Sequence, residues 1–153
     1  MTATGCSCVS RLPTAARLAL PVMNHSPSED SRIRVLIADD DQPFLESLQK
    51  LIDRQPELTV IGAAADGLEA IELADQLDPD AVVLDLHMPL LDGVSAAARL
   101  RRDHPSVCLI ALTGDEEPAL HRAVREAGAD EVLLKTQLVE GLIERLSTLR
   151  PAN

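Results

Sequence analysis

Four apolar runs in this chain end on groups that can do chemistry. "RVLIADDDQPF" closes on Asp39, Asp40 and Asp41. "AVVLDLHMPLLDG" carries Asp85, "VCLIALTG" reaches Thr113 and Gly114, and "DEVLLK" ends at Lys135. A carboxylate that ends a run apolar enough to be buried is costly unless it is paired. Two carboxylates about 4 Å apart repel by roughly 4 kcal/mol at an effective dielectric of 20, so a cluster of them needs a cation. Oxygen-only donors suit Mg²⁺, or Mn²⁺, with waters completing an octahedron. Beside such an ion Asp85 stays ionised, and a positioned carboxylate can attack a phosphoryl group to give an aspartyl phosphate. That transfer is mostly positioning and charge neutralisation. In this scheme Thr113 donates to one phosphoryl oxygen and Lys135 neutralises another.

Each residue taken singly also fits a plainer part. Asp39 to Asp41 can cap the helix that starts near Pro43, and one capping residue, Asp41 or the adjacent Gln42, is expected there. A lone Asp after a strand is more often a turn residue, Thr-Gly is common in loops, and a lone Lys is usually solvated. The joint reading is favoured because the four fall at successive strand ends.

The elements that place them alternate from residue 32 onward. "IRVLIA" is an apolar run rich in β-formers, and "PFLESLQKLIDRQ" has apolar residues at 44, 45, 48, 51 and 52, which is helical spacing. Pro43 suits a first helical turn. "LTVIGAAA" and "LEAIELADQL" form the second such pair, "AVVLD" and "VSAAARLRRD" the third. "VCLIALT" with "EPALHRAVREAG" and "DEVLLK" with "QLVEGLIERLSTL" complete the series. Alternation with short connections predicts an α/β fold, a parallel sheet with helices on both faces. Ligands of such sheets bind beyond the carboxyl ends of the strands, where strand order reverses. The carboxylates, the hydroxyl and the ammonium all belong to that edge.

Bulk properties narrow the function classes. The chain of 153 residues is long enough for one domain with a full core. With a single Phe and no Trp or Tyr, that core rests on Leu, Val, Ile and Ala. The first 28 residues carry Arg11 and Arg17 as their only charged side chains, which leaves 12 basic against 25 acidic residues, a net of −13. A field of that sign repels nucleic acid and anionic membranes, so neither is expected as a direct partner. Cys6 and Cys8 lack further ligands at zinc spacing, and Cys108 lies in an apolar run as a small core residue. No apolar stretch approaches the roughly 20 residues that span a bilayer, and a cytoplasmic location is expected. Residues 1–31, rich in Ser, Thr, Pro and Ala, read as a disordered tail, with Met23 as an alternative start. Residues 32–150 read as the domain and 151–153 as a tail, with no output domain.

"VLIADD", "LDLHMPLLDG", "ALTG" and "LLK", in that order and at these intervals, resemble the receiver domain of two-component response regulators. The resemblance covers about three quarters of the chain, residues 32–149. It implies a flavodoxin-like, doubly wound sheet of strand order 2-1-3-4-5. By resemblance Asp85 is the phosphoacceptor, and Asp39, Asp40 and the backbone carbonyl of His87 join it in holding Mg²⁺. Thr113 and Lys135 bind the phosphoryl group, which comes from a phosphohistidine on a sensor histidine kinase or a histidine phosphotransfer protein. The His87 side chain and Asp115 flank the phosphoryl group and tune its lifetime. The face over 116–149 answers phosphorylation, by homodimer formation or by contact with an unknown downstream protein. The apolar stripe at 138, 139, 142, 143, 146 and 149 is mostly core with an edge left for that partner.

The sequence departs from the family in two places. Thr136 stands where many receivers have a Pro after the lysine, so a trans bond is expected. Val132 stands where many carry a Tyr or Phe, so loop and helix repacking must replace the swing of a ring. Two other classes compete. One is a receiver-like binding module that is never phosphorylated, against which the full set of acidic, hydroxyl and lysine groups argues. The other is a phosphatase of the haloacid-dehalogenase type, which would need a carboxylate where His87 stands. His104 and His121 are expected to be solvated on helix faces or ends.

Overall fold

A computed structural model of the protein describes residues 32–149. The expected disordered tail, the start at Met23 and the tail at 151–153 lie outside the described residues. The strands are β1 (Ile33–Ala38), β2 (Leu58–Ala64), β3 (Ala81–Asp85), β4 (Cys108–Thr113) and β5 (Glu131–Leu134). The helices between and after them are α1 (Gln42–Asp53), α2 (Gly67–Leu77), α3 (Gly93–Asp103), α4 (Pro118–Ala127) and α5 (Leu138–Ser147), with a 3-10 turn, Lys135–Gln137, ahead of α5. All pairings are parallel, as the alternation predicts, and the strand order is β2-β1-β3-β4-β5, the doubly wound order that the family resemblance implies. The one irregularity lies between β1 and β2: Val35 pairs with Val60 but Leu36 pairs with Gly62, so Ile61 is an extra residue.

Period-two alternation sorts the core into two layers. Ile33, Val35 and Ile37 of β1, Ala81 and Val83 of β3, and Cys108, Ile110 and Leu112 of β4 face one side. There they meet Leu45, Leu48 and Ile52 of α1 and Leu142 and Leu146 of α5. Leu36, Ala38, Val82, Leu84, Leu109 and Ala111 face the other side, under Ala70, Ile71 and Ala74 of α2, Ala96, Ala97 and Leu100 of α3, and Val124 of α4. Asp39 continues the alternation of Val35 and Ile37, and Asp85 that of Ala81 and Val83. Ile37 is the register partner of Val83, so both carboxylates leave the sheet on the α1/α5 side, on neighbouring strands.

Aspartates start three of the helices. Asp41 accepts from the Phe44 N–H at 3.4 Å, Asp66 from Glu69 at 2.8 Å, and Asp92 from Ser95 at 2.9 Å. Each satisfies an amide left unpaired in a first turn. The expected cap on α1 is therefore Asp41. Gly93, at the start of α3, runs so close to β3 that a Cβ would sit 2.4 Å from the Leu86 Cα. Only a glycine allows this approach, which also brings the Gly93 N–H to the Leu86 carbonyl at 3.1 Å. The loop after Asp85 is held short and close to the sheet by that contact.

Arg101 ties down the opposite end of the sheet. Its guanidinium donates to the carbonyls of Gly128 (3.0 Å), Pro105 (2.7 Å) and Val107 (2.9 Å), and to the Asp130 carboxylate (2.7 Å). His104 at the end of α3 is not the solvated residue expected: only 15% of its side chain is exposed, and Nε2 lies 2.9 Å from an Asp75 oxygen. Cys108 is buried, and burial pushes its thiol above the ordinary range. No helix among the described residues is long and apolar enough to cross a membrane. Ile143 and Leu149 pack against the α1/α5 core with Leu142 and Leu146, and among the residues whose side chains are described the large exposed apolar ones are Leu68 and Leu90.

Candidate functional site

The site grows from the carboxyl ends of β1, β3, β4 and β5. Asp39 follows β1 directly, and its N–H donates to the Ala64 carbonyl at 3.0 Å, extending the β1–β2 ladder by one residue. Its side chain is 1% exposed, and one oxygen accepts from the Asp41 N–H at 2.9 Å. Asp85 is the last residue of β3, and the following Leu86 N–H is fixed to the Leu112 carbonyl at 3.0 Å. Both aspartates are buried, while Asp40 is exposed. Asp39, Asp40 and Asp85 each offer an oxygen within 4.8 Å of the others.

Lys135 closes the group from the far side of the sequence. As the first residue after β5, it places Nζ 2.8 Å from an Asp39 oxygen and 3.3 Å from an Asp85 oxygen. The buried carboxylates at these strand ends are thus paired with a cation. Among the described residues there is no cis peptide bond, so the Lys135–Thr136 junction is trans as expected. Burial pushes the Asp85 carboxyl up from its ordinary value of 3.8, and the Asp39 charge pushes the same way. The charge and hydrogen bond of Lys135, and the His87 N–H, pull it back only in part. For Lys135, burial works against the ammonium. The hydrogen bond to Asp39 and the charges of Asp85 and Asp39 outweigh it and hold the ammonium above its ordinary value. Two acids thus share one lysine, and one of the two carries excess negative charge that favours a proton or a further cation.

Thr113 ends β4, fully buried, one residue beyond the register partner of Asp85. Its hydroxyl oxygen accepts from the Asp115 N–H at 2.9 Å. The Asp115 side chain is exposed and accepts from the Glu117 N–H at 3.0 Å. The Asp115 carbonyl accepts from His121 Nε2 at 2.7 Å. A carbonyl can only accept, so the proton of a neutral His121 sits on Nε2. His121 is half-buried and tied to the loop, again not freely solvated. Val132 is buried in the core with Val124 and Ala129, and its register partner is Ala111. The His87 side chain is exposed.

Lys135 thus contacts Asp39 and Asp85 directly, and Asp40 stands beside them. Thr113 and Asp115 stand at the same edge, joined to each other. Two contacts escaped the sequence. The ring of Phe44 lies under Lys135, with Nζ 4.5 Å from its centroid. His121 reaches back to the loop after β4. The only advance signal for Phe44 is that it is the single aromatic residue, four positions after Asp40.

The architecture and the lysine-paired acidic pocket define a doubly wound domain with a strand-end carboxylate site. Residues 35–147 match the response regulator receiver domain family, and the chain belongs to it. The fold superposes on the response regulator domain of Thermotoga maritima CheB with a TM-score of 0.72 and 31% identity, covering 76% of this chain and 95% of that one. The transcriptional regulatory protein DegU of Brevibacillus brevis is 31% identical over 127 residues, 83% of this chain and 53% of the relative. A protein-glutamate methylesterase/protein-glutamine glutaminase of Anaeromyxobacter dehalogenans is 39% identical over 115 residues, 75% of this chain and 33% of the relative. The chain therefore spans about half, or a third, of the length of these curated relatives.

Proposed function

We propose that Asp85 is the phosphoacceptor of this receiver domain and that the phosphoryl group comes from a phosphohistidine of a sensor histidine kinase or phosphotransfer protein. A carboxylate oxygen of Asp85 attacks phosphorus, the P–N bond breaks, and the imidazole leaves with its electron pair. The observation that carries this reading is Lys135 bridging Asp39 and Asp85 at 2.8 and 3.3 Å at the strand-end edge. A rigid, buried carboxylate beside a cation is already placed for attack and for charge neutralisation afterwards. Asp39, Asp40, Asp85 and the His87 carbonyl fit a hard divalent ion, since every donor is an oxygen and the carboxylates exceed the one lysine in charge. Mg²⁺, or Mn²⁺, bound there supplies positive charge to the phosphoryl oxygens. Lys135 takes one of those oxygens and the Thr113 hydroxyl another.

The readout runs through Thr113. To donate to a phosphoryl oxygen the hydroxyl must give up or lengthen its bond from the Asp115 N–H. The Asp115 carbonyl holds His121 of α4, so movement of that loop reaches the α4 surface without an aromatic at Val132. The side chains of His87 and Asp115, both exposed beside the pocket, set how readily water reaches the acyl phosphate. On this reading the domain catalyses only its own phosphoryl transfer and hydrolysis. It works in the cytoplasm through protein contacts of the 116–149 face, with a downstream protein or a second copy, and the net charge of −11 over residues 32–150 disfavours direct contact with nucleic acid.

Incubation with Mg²⁺ and acetyl phosphate, followed by intact mass, tests the reading. The wild type is expected to gain one phosphoryl group, and Asp85→Asn none. Equal gain by both would refute the assignment, and no gain by the wild type would favour a domain that works unphosphorylated.

A further inference from the structure

We infer that Phe44 is a positioning residue for Lys135, its ring forming a cation–π seat that keeps the ammonium in the site while the lysine changes partners. The inference rests on the phosphoryl-acceptor reading of Asp85. The Lys135 Nζ stands 4.5 Å from the Phe44 ring centroid, within the range in which a ring face attracts an ammonium. It also contacts an Asp39 oxygen at 2.8 Å and an Asp85 oxygen at 3.3 Å. The ammonium thus lies between two carboxylates and a ring.

Phosphorylation gives the lysine a new task. It must loosen its short contact with Asp39 and turn toward a phosphoryl oxygen on Asp85. A lysine is a point charge on a flexible stem with three rotatable donors, and 27% of this side chain is open to solvent. Attraction to a ring face does not depend on which N–H points where. A ring can therefore hold the ammonium as its hydrogen bonds are exchanged, without taking up one of its N–H donors. The trans junction to Thr136 leaves the lysine on a 3-10 turn whose backbone carries no proline to stiffen it.

The placement of Phe44 is itself fixed. Asp41 caps the Phe44 N–H, and Phe44 packs on the α1/α5 core through its partly buried side chain. The only aromatic residue of the sequence is spent at this spot, although the core is otherwise filled by aliphatic residues. A leucine or methionine would fill the same apolar gap without a π face, and this separates positioning from packing.

The test compares wild type, Phe44→Leu, Phe44→Met and Phe44→Tyr for the rate of phosphorylation by acetyl phosphate at saturating Mg²⁺. The NMR signals of the Lys135 side-chain methylenes are followed alongside. The wild type and Phe44→Tyr are expected to show ring-current shifts at Lys135 and rates within about twofold of each other. Both aliphatic variants are expected to lose the shift and to react roughly three- to tenfold more slowly, with their thermal transitions retained. Aliphatic variants that react at the wild-type rate, or a tyrosine variant as slow as they are, would overturn the inference. A wild type that takes no phosphoryl group removes the acceptor reading and this role with it, and the wild-type arm alone identifies that case.

Discussion

Lys135 answers two buried aspartates at once, so its removal is felt before any phosphoryl group arrives. Truncating one partner of a buried ion pair is costly because the other charges remain. Discounted for the solvent that reaches this lysine, Lys135→Ala should lower the stability of the metal-free protein by about 2 kcal/mol, readable by urea denaturation. Asp85 gives the opposite sign. Its carboxyl is held above 3.8 by burial and by Asp39. A group shifted that way contributes stability that is complete below its unfolded value and is lost as pH rises through the folded one. In Mg²⁺-free buffer at neutral pH, Asp85→Asn should therefore melt roughly 2–4 °C above wild type, and the gap should narrow as the pH falls through the raised folded value and be gone below about 3.8. A gap that widens on acidification would contradict the assignment of the strain to this carboxyl. Asp39, Asp85 and Lys135 were legible in the sequence because each ends an apolar run, where an unpaired charge is anomalous. Phe44 and His121 were not. Their partners stand on other elements, and nothing in a helical spacing tells which way a first-turn side chain leans once packed.

At the scale of elements, glycine makes the sharpest contrast. A Cβ on Gly93 would press on the Leu86 Cα and the Asp85 carbonyl, at 2.4 and 2.9 Å. Gly93→Ala should displace the loop after Asp85, costing about 1–3 kcal/mol and slowing phosphorylation. A Cβ on Gly114 meets nothing within 4 Å, so Gly114→Ala should leave stability within roughly 0.5 kcal/mol of wild type. Equal effects, measured by thermal unfolding and acetyl phosphate kinetics, would show that the close approach of α3 to β3 does not set the loop. All five strands and helices could be placed from periodicity, since each helix shows an apolar stripe and each strand a short apolar run. The extra residue Ile61 on β2 could not, because register depends on the partner strand. The 3-10 turn at Lys135–Gln137 was likewise hidden, and it delays the start of α5 to Leu138.

For the molecule as a whole, the excess of carboxylates is the governing fact. Part of it is spent on helix caps at Asp41, Asp66 and Asp92, and part is concentrated at Asp39, Asp40 and Asp85. A ligand that binds only the folded state stabilises it, by about 2.7 kcal/mol at a hundredfold excess over its Kd. Mg²⁺ should accordingly raise the melting temperature of the wild type at constant ionic strength, and much less that of Asp39→Asn. The α/β class was legible in the sequence because alternation with short connections implies a parallel sheet covered by helices, whereas the strand order came only from the resemblance to receiver domains. The position of the phosphoryl group is the claim on which all the rest depends. It is read most directly by reducing the phosphorylated protein with borohydride and sequencing its peptides by mass spectrometry. The acyl phosphate at Asp85 should be converted to homoserine at position 85 and nowhere else. Homoserine at position 39 or 40, or none in a protein that has gained phosphoryl mass, would contradict the account.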